Sequence, residues 1–184
     1  MTVEERLYER LLVLRSQTGD EGALTELIQL YSPRLRYYLR KMLPRKDSQA
    51  EDLLQETWCD AVRSLGSLRD AAAFPAWIYR IARDRAWRLL RKDRPAAPLA
   101  EADLPAAFQE PEFTAEDAAA VHAALAELPA QHREVLVLRF IEGLTYEEIA
   151  DITAAPLGTV RSRLFYGKEL LRQLLAKDYC HDRP

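Results

Sequence analysis

The sequence has few cysteines and lacks both a long apolar run and a leader segment. Its two cysteines, Cys59 and Cys180, lie far apart, which favours free thiols in a reducing compartment over a disulfide. No stretch approaches the roughly 18 apolar residues of a transmembrane helix, so membrane insertion is not expected. The first ten residues are charged and lack the apolar core of a signal peptide. These absences favour a cytoplasmic protein.

Signals for β-strands are also scarce. The chain of 184 residues has only 6 glycines and no alternating runs of Val, Ile and Thr, whereas Ala, Leu, Arg and Glu are abundant. This composition predicts an all-α fold. Apolar residues make up 48% of the chain, which is enough for packed cores. The length suits one medium domain or two small ones.

Residues typical of catalysis and metal binding are sparse as well. The chain has 3 histidines, and none lies near its main acidic group, Glu51, Asp52 and Glu56. These carboxylates share one predicted helix, so a metal-dependent nuclease is the weaker hypothesis and a solvated or partner-facing surface the stronger one. Cys180 and His181 are too few to hold a metal. We therefore expect no enzyme, no metal and no cofactor.

Residues 144–168 indicate two short helices joined by a tight turn. Thr145 and Glu148 form a capping box at the start of the first helix. Pro156 ends that helix and suits the first turn of the next. The second helix has basic and aromatic side chains around one apolar face, which consists of Leu157, Val160, Leu164, Leu171 and Leu174. The pattern is typical of a helix-turn-helix, with an ordinary helical hairpin as the alternative.

Four amphipathic helices are predicted in the N-terminal half. In the first, residues 3–15, we expect Leu7, Leu11 and Leu14 on the buried face. The second runs from about Glu21 to Met42.

The third and fourth helices carry opposite charges. Ser48 is the predicted cap of the third, with Glu51 at its third position. The fourth opens at Pro75 and bears arginines interleaved with Trp87, an arrangement that suits a nucleic-acid backbone and a stacked base. Packing of Trp87 on a neighbouring helix is the alternative.

Charge is segregated along the chain, although its net value is only −3. Residues 75–94 carry seven basic side chains against two acidic ones, whereas residues 95–120 carry six acidic side chains and no basic ones. Four prolines fall between residues 93 and 117, which predicts an interdomain linker. Fully extended, it reaches at most ~80 Å.

Taken in order, these motifs resemble a bacterial RNA polymerase sigma factor of the extracytoplasmic-function (ECF) group, over about residues 19–175. AEDLLQETW is similar to the family's core-polymerase-binding helix, and FPAWIYRIARDRAWRLLRK to its promoter-opening helix. LPAQHREVLVLRFIEGLTYEEIA and LGTVRSRLFYGKELLR are similar to the two signatures of sigma domain 4. The resemblance implies domain 2 over residues 1–94, a linker over 95–117, domain 4 over 118–176 and a polar tail over 177–184.

The resemblance also implies three sets of site residues. The core-docking set, expected to bind the clamp helices of the polymerase's largest subunit, is Asp52, Gln55 and Glu56. The −10 set, expected to capture an unstacked promoter base and its strand, is Leu68, Arg69, Phe74, Arg80, Arg83, Asp84, Trp87 and Arg88. The −35 set, expected to read duplex DNA, is Thr159, Arg161, Ser162, Arg163, Phe165, Tyr166 and Lys168. Within it, Arg161 is the expected base contact, since arginine bidentate to guanine is the commonest specific contact.

Further partners follow from the same resemblance. They are promoter DNA, the flap of the polymerase's second-largest subunit and, as is common in the family, an anti-sigma factor. The linker acids Glu101, Asp103 and Glu110 are expected to lie along the RNA exit path.

The sequence departs from the family's pattern at three positions. Asp84 stands where asparagine is common, Tyr166 where a basic residue is frequent, and Ala154 where a turn glycine is usual. Two alternatives to a sigma factor stay open: a simple helix-turn-helix regulator, and a sigma-like adaptor that has lost promoter opening.

Overall fold

The computed structural model describes residues 3–44, 46–93 and 118–181, and within these ranges it is helical and has no strand. The all-α prediction is therefore confirmed. The helices before residue 94 belong to one compact unit, and most of the residues after 117 belong to another. The predicted linker, with Glu101, Asp103 and Glu110, lies outside the described residues.

The first unit consists of α1 (Val3–Gln17), α2 (Glu21–Met42), α3 (Asp47–Ser64) and α4 (Phe74–Asp93). Two short 3-10 turns, Leu65–Ser67 and Ala71–Ala73, connect α3 to α4. The core is built around α2, whose apolar side is fully buried and packs against the other three helices. Its largest members are tyrosines. The ring of Tyr38 meets that of Tyr79 edge to face, with centroids 5.4 Å apart.

The face of α1 that packs inward differs from the predicted one. Leu7, Leu11 and Leu14 are 58%, 48% and 53% exposed, whereas Leu12 and Val13 are fully buried. The prediction was wrong because α1 has apolar residues on two opposite sides. Helical periodicity favours the leucine set, whereas the packing of α1 on α2 buries the opposite side of the helix.

The predicted cap of α3 was also wrong. The helix begins at Asp47, its N-cap residue is Lys46, and that residue makes no capping bond through its side chain. The carboxylate of Glu51, expected to complete the capping box, instead accepts hydrogen bonds from Arg36 at 2.9 Å and Arg40 at 3.0 Å. Two guanidinium groups on α2 are stronger partners for a carboxylate than a backbone amide.

The second unit contains α5 (Ala118–Glu127), α6 (Ala130–Leu136), α7 (Tyr146–Thr153) and α8 (Leu157–His181). A π-helical turn, Val137–Ile141, extends α6. The backbone N–H of Glu142 donates to the carbonyl of Val137 at 3.1 Å, the i to i−5 bond of a π turn.

The start of α7 follows the prediction. The backbone N–H of Thr145 donates to the Glu148 carboxylate at 2.7 Å, and the N–H of Glu148 donates to the Thr145 hydroxyl at 3.2 Å. These reciprocal bonds make the capping box. Gly143, two residues before Thr145, has a φ of +69°, the left-handed conformation that favours glycine. The helix-turn-helix is thus formed by α7 and α8, with a break at residues 154–156.

Close packing of α6 on α8 supports the helix-turn-helix. A Cβ placed on Gly167 would lie 3.2 Å from the Leu136 side chain and 3.3 Å from the Cβ of His132. The glycine therefore lets the two helices approach more closely than a larger residue would. Nδ1 of His132 also lies 3.0 Å from the carbonyl oxygen of Arg163 on α8.

A buried arginine, Arg133 on α6, caps the C-terminal end of α5. Nη1 of Arg133 donates to the carbonyls of Ala126 and Leu128, at 2.9 and 3.1 Å. These carbonyls lie at the C-terminal end of α5, where a cation is favoured. Burial lowers the pKa of Arg133, and the negative charges of Glu134 and Glu127 oppose this shift.

The turn of the helix-turn-helix contains a strained residue. Ala154 has a φ of +49°, the left-handed conformation that favours glycine. We expect Ala154→Gly to stabilise the protein by roughly 0.5–1 kcal/mol, because relief of strain exceeds the added entropy of the unfolded chain. The matched control is Ala155→Gly, next along the chain and without a positive φ, which should destabilise by a similar amount. Chemical unfolding followed by circular dichroism measures both, and destabilisation by Ala154→Gly would contradict the strain argument.

Candidate nucleic-acid interface

The core-docking set lies together on α3. Asp52, Gln55 and Glu56 are all exposed, and their spacing of three and four residues places them on one side of the helix. The Glu56 carboxylate, 53% exposed, accepts a hydrogen bond from Arg85 on α4. This side therefore offers two acidic groups and an amide to a partner.

A row of side chains on α4 carries part of the −10 set. Arg80, Asp84 and Arg88 are spaced four residues apart and all are exposed. Beside this row, the guanidinium of Arg83 lies 5.5 Å from the centroid of the Trp87 ring. Cation–π attraction of this kind orients the half-buried indole. The structure thus brings an aromatic surface next to cationic groups within one helix.

The turn between α3 and α4 contains Leu68, which is half-buried, and Arg69, which is exposed. The side-chain amide of Gln17, at the end of α1, holds this turn. Its Nε2 donates to the carbonyls of Leu65 at 2.9 Å and Leu68 at 2.7 Å. Asp70 orders the next residues, since its carboxylate accepts from the N–H of Ala72 at 2.8 Å. These hydrogen bonds therefore hold the turn in one conformation.

Phe74 does not have the accessibility that the −10 set requires. Its side chain is 1% exposed, and its ring meets that of Tyr31 edge to face at 5.1 Å. It also packs on Trp77, with centroids 5.8 Å apart. Contact with a base would require opening this core. Phe74 supports the turn and α4 from beneath.

Two members of the −35 set are also buried. Ser162 is 9% exposed, and its hydroxyl donates to the carbonyl of Thr159 at 3.0 Å. Lys168 is 5% exposed, with its ammonium 4.8 Å from the centroid of the Phe140 ring. Periodicity placed both on the outer side of α8, but the turn before α7 covers Lys168.

The other members of the −35 set remain accessible. Arg161 is exposed, whereas Thr159, Arg163, Phe165 and Tyr166 are half-buried. The rings of Phe165 and Tyr166 pack edge to face, with centroids 5.2 Å apart. Arg161 and Phe165 are four residues apart and share one side of α8.

Comparisons with known proteins match both units. Residues 27–95 match the family model "Sigma-70 region 2", and residues 118–171 match "Sigma-70, region 4". Curated relatives include the "ECF RNA polymerase sigma-E factor" of Haemophilus influenzae, 32% identical, with 91% of this chain and 95% of that protein covered. The "ECF RNA polymerase sigma-E factor" of Escherichia coli is also 32% identical, with 92% of this chain and 95% of that protein covered. The chain belongs to the ECF sigma factors of RNA polymerase.

Solved structures agree with this assignment. The sigma factor RpoE of Bartonella quintana, in complex with the anti-sigma factor NepR, matches with a TM-score of 0.64 and 26% identity. The match covers 83% of this chain and 96% of that one. CnrH, in complex with the cytosolic domain of CnrY, matches in fold with a TM-score of 0.70 and 24% identity. This match covers 93% of this chain and 99% of that one. As an ECF sigma factor, the protein acts in transcription initiation.

Some residues around the interfaces of this sigma factor were not anticipated from sequence. Arg85, which links α4 to α3, was counted only among basic residues, and Gln17 was not singled out. Neither has a local signal, because their partners are 25 to 51 residues away and are selected by the fold. Among the described residues, no group of three potential metal ligands and no helix suited to cross a membrane is found.

Proposed function

We propose that this sigma factor binds core RNA polymerase through the acidic side of α3, the −10 element through α4 and the −35 element through α8. The proposal keeps the predicted divisions at residues 94, 117 and 176. It describes a non-catalytic factor that acts in the cytoplasm without a cofactor. The observation that carries it is that one unit presents exposed carboxylates on α3 and an exposed arginine row on α4.

Docking on polymerase would use charge complementarity. Asp52, Gln55 and Glu56 supply acceptors that basic groups on the clamp helices of the largest subunit could pair with. Exposed charges of this kind steer association and set its specificity. We propose that the flap of the second-largest subunit binds the second unit. An anti-sigma factor, like NepR in the related Bartonella quintana complex, would compete for these faces.

Capture of the −10 element needs a base pocket and a cationic track. Extruding a base costs a few kcal/mol, which contacts with the strand must offset. Leu68 and Arg69 lie on the ordered turn, and Arg80 and Arg88 lie on α4 next to the Arg83–Trp87 pair. Asp84 stands in the arginine row, where its carboxylate can accept from a cytosine amine. The proposal leaves Phe74 in a supporting role.

Recognition of the −35 element is assigned to the N-terminal part of α8. A recognition helix enters the major groove by this part, and Arg161 is its exposed arginine. Thr159, Phe165 and Tyr166 would contact bases or thymine methyl groups, and Arg163 a phosphate. Ser162 and Lys168 are left out because they are buried.

Arg161→Ala is expected to reduce the preference for the favoured base pair at one −35 position by about tenfold, because a bidentate arginine contact discriminates by about 1–3 kcal/mol. Arg172→Ala is the matched control: it removes the same charge farther along α8, where Arg172 pairs with Glu169 at 2.7 Å. Binding of the holoenzyme to a −35 library measures both. A uniform loss of affinity across all sequences would show that Arg161 contacts only phosphate.

Reconstituted transcription tests the proposed function as a whole. Core polymerase, this protein and a library of promoter fragments are combined, and the 5′ ends of the RNA are sequenced. Transcripts that require the protein and share two upstream elements are expected. Core binding without transcripts would instead favour the adaptor. Sequence-specific duplex binding by the chain alone, without core binding, would favour the simple regulator.

A further inference from the structure

Arg85 joins the two interfaces of the first unit. From α4, its Nε and Nη2 donate to the carboxylate of Asp60 at 2.9 and 2.5 Å, and its Nη1 donates to Glu56. Arg85 is 20% exposed, less than either acidic partner. Glu56 belongs to the core-docking set, so the same carboxylate has an internal partner and a proposed external one.

A groove between α3 and α4 adjoins this pair. It has a volume of about 410 Å³, and its charged lining consists of Arg63, Arg85 and Arg88 with Asp60 and Asp84. Arg88 belongs to the exposed row of the −10 set. If a DNA strand lies along this row, one of its backbone phosphates would therefore come within reach of the groove and of the guanidinium of Arg85.

We propose that Arg85 couples polymerase docking to DNA binding, an inference that rests on the proposed docking role of Glu56. In the free sigma factor, Arg85 is bonded to the carboxylate of Glu56, to which the polymerase binds in the complex. When a basic group of the polymerase takes Glu56, Nη1 of Arg85 loses its partner and donates instead to a phosphate of the promoter strand that enters the groove.

The arrangement of the donors makes this exchange feasible. Nε and Nη2 bond Asp60, which holds the plane of the guanidinium while Nη1 changes partner. Glu56 keeps a cationic partner in both states, and Nη1 keeps an anionic one. No charge is left unpaired at either end of the exchange, so little energy opposes it.

The coupling is reciprocal. If docking releases Arg85 to DNA, then DNA that holds Arg85 must leave Glu56 free for the polymerase and strengthen docking by the same factor. The free protein would bind both partners less well than the assembled complex binds either.

The test uses Arg85→Gln in the full-length chain, with Arg36→Gln as matched control. Arg36 pairs with Glu51 of α3 at 2.9 Å, so its replacement breaks a similar ion pair outside the proposed exchange. Without DNA, Arg85→Gln should bind core polymerase about fivefold more tightly, the upper end for an exposed ion pair. Its holoenzyme should bind promoter DNA more weakly, with a salt slope shallower by about one. Arg36→Gln should change neither.

A second variant, Arg85→Lys, separates charge from geometry. Lysine keeps the charge but lacks the planar fork, so it cannot hold both carboxylates in the same way. Core binding should tighten as in Arg85→Gln, while DNA binding should stay closer to that of the unmodified protein. Weaker core binding by both variants would show a structural role and overturn the inference, as would unchanged core binding. Failure of the unmodified protein to bind core polymerase would overturn the proposed function itself.

Discussion

Reversing two charges on α3 with Asp52→Lys and Glu56→Lys is expected to weaken binding to core polymerase by about 100-fold or more. Each change removes an acceptor and places a like charge against a basic partner, and such juxtapositions cost several kcal/mol. Both side chains are exposed, so the fold should survive with a stability change of at most about 1 kcal/mol. Affinity measured with labelled sigma factor, alongside circular dichroism, checks both expectations.

The control for this double variant reverses two acids elsewhere on the first unit. Glu4→Lys and Glu21→Lys make the same change in net charge at exposed positions on α1 and α2. They should leave core affinity within about threefold, since distant exposed charges are largely screened. Equal losses in both double variants would mean that overall charge, not the side of α3, governs docking.

Gly167→Leu is expected to unfold or severely destabilise the second unit. A Cβ at this position already meets Leu136 and His132 at 3.2 and 3.3 Å, so a leucine must push α8 away from α6. Overpacking a core costs about 1–3 kcal/mol, which is a large share of the stability of so small a unit. Recognition of the −35 element should be lost with it, because α8 is held in place by this contact.

All three tryptophans, Trp58, Trp77 and Trp87, lie in the first unit. Their fluorescence therefore reports on the first unit alone, and distinguishes loss of the second unit in Gly167→Leu from misfolding of the whole protein. For Gly167→Leu, circular dichroism should show a loss of helix at a lower denaturant concentration than in the unmodified protein. The transition followed by tryptophan fluorescence should keep its midpoint. Gly158→Leu is the matched control on the same helix, since a Cβ there meets nothing within 4 Å. It should leave the second unit at least as stable as in the unmodified protein, because glycine is unfavourable within a helix. A normal second unit in Gly167→Leu would refute the close-packing argument.

Much of the second unit could be predicted because its signals are local. The capping box of Thr145 and Glu148 and the break before Pro156 are both determined within about four residues of chain. The family resemblance then supplied the order of the motifs, and the comparisons confirmed it.

The errors fall where tertiary contacts decide. Glu51 lost its capping role to two arginines on α2, and Phe74 was buried by an aromatic neighbour on α2. Lys168 has the period of an outward residue, yet Phe140 covers it. Sequence spacing gives the angle of a side chain around its helix, but not which neighbouring element covers that angle. The pairing of Arg85 with α3 escaped prediction for the same reason.

The hydrogen bonds from Gln17 have a genetic consequence. One side-chain amide at the end of α1 holds two carbonyls of the turn that precedes α4. Gln17 belongs to none of the three predicted contact sets, yet the shape of that turn depends on it. On the proposed role of this turn in capturing the −10 element, we expect the positions at which mutation alters promoter opening to form a wider set than those that touch DNA. Suppressors of a defect in the turn should accordingly be sought on α1 as well as on α4.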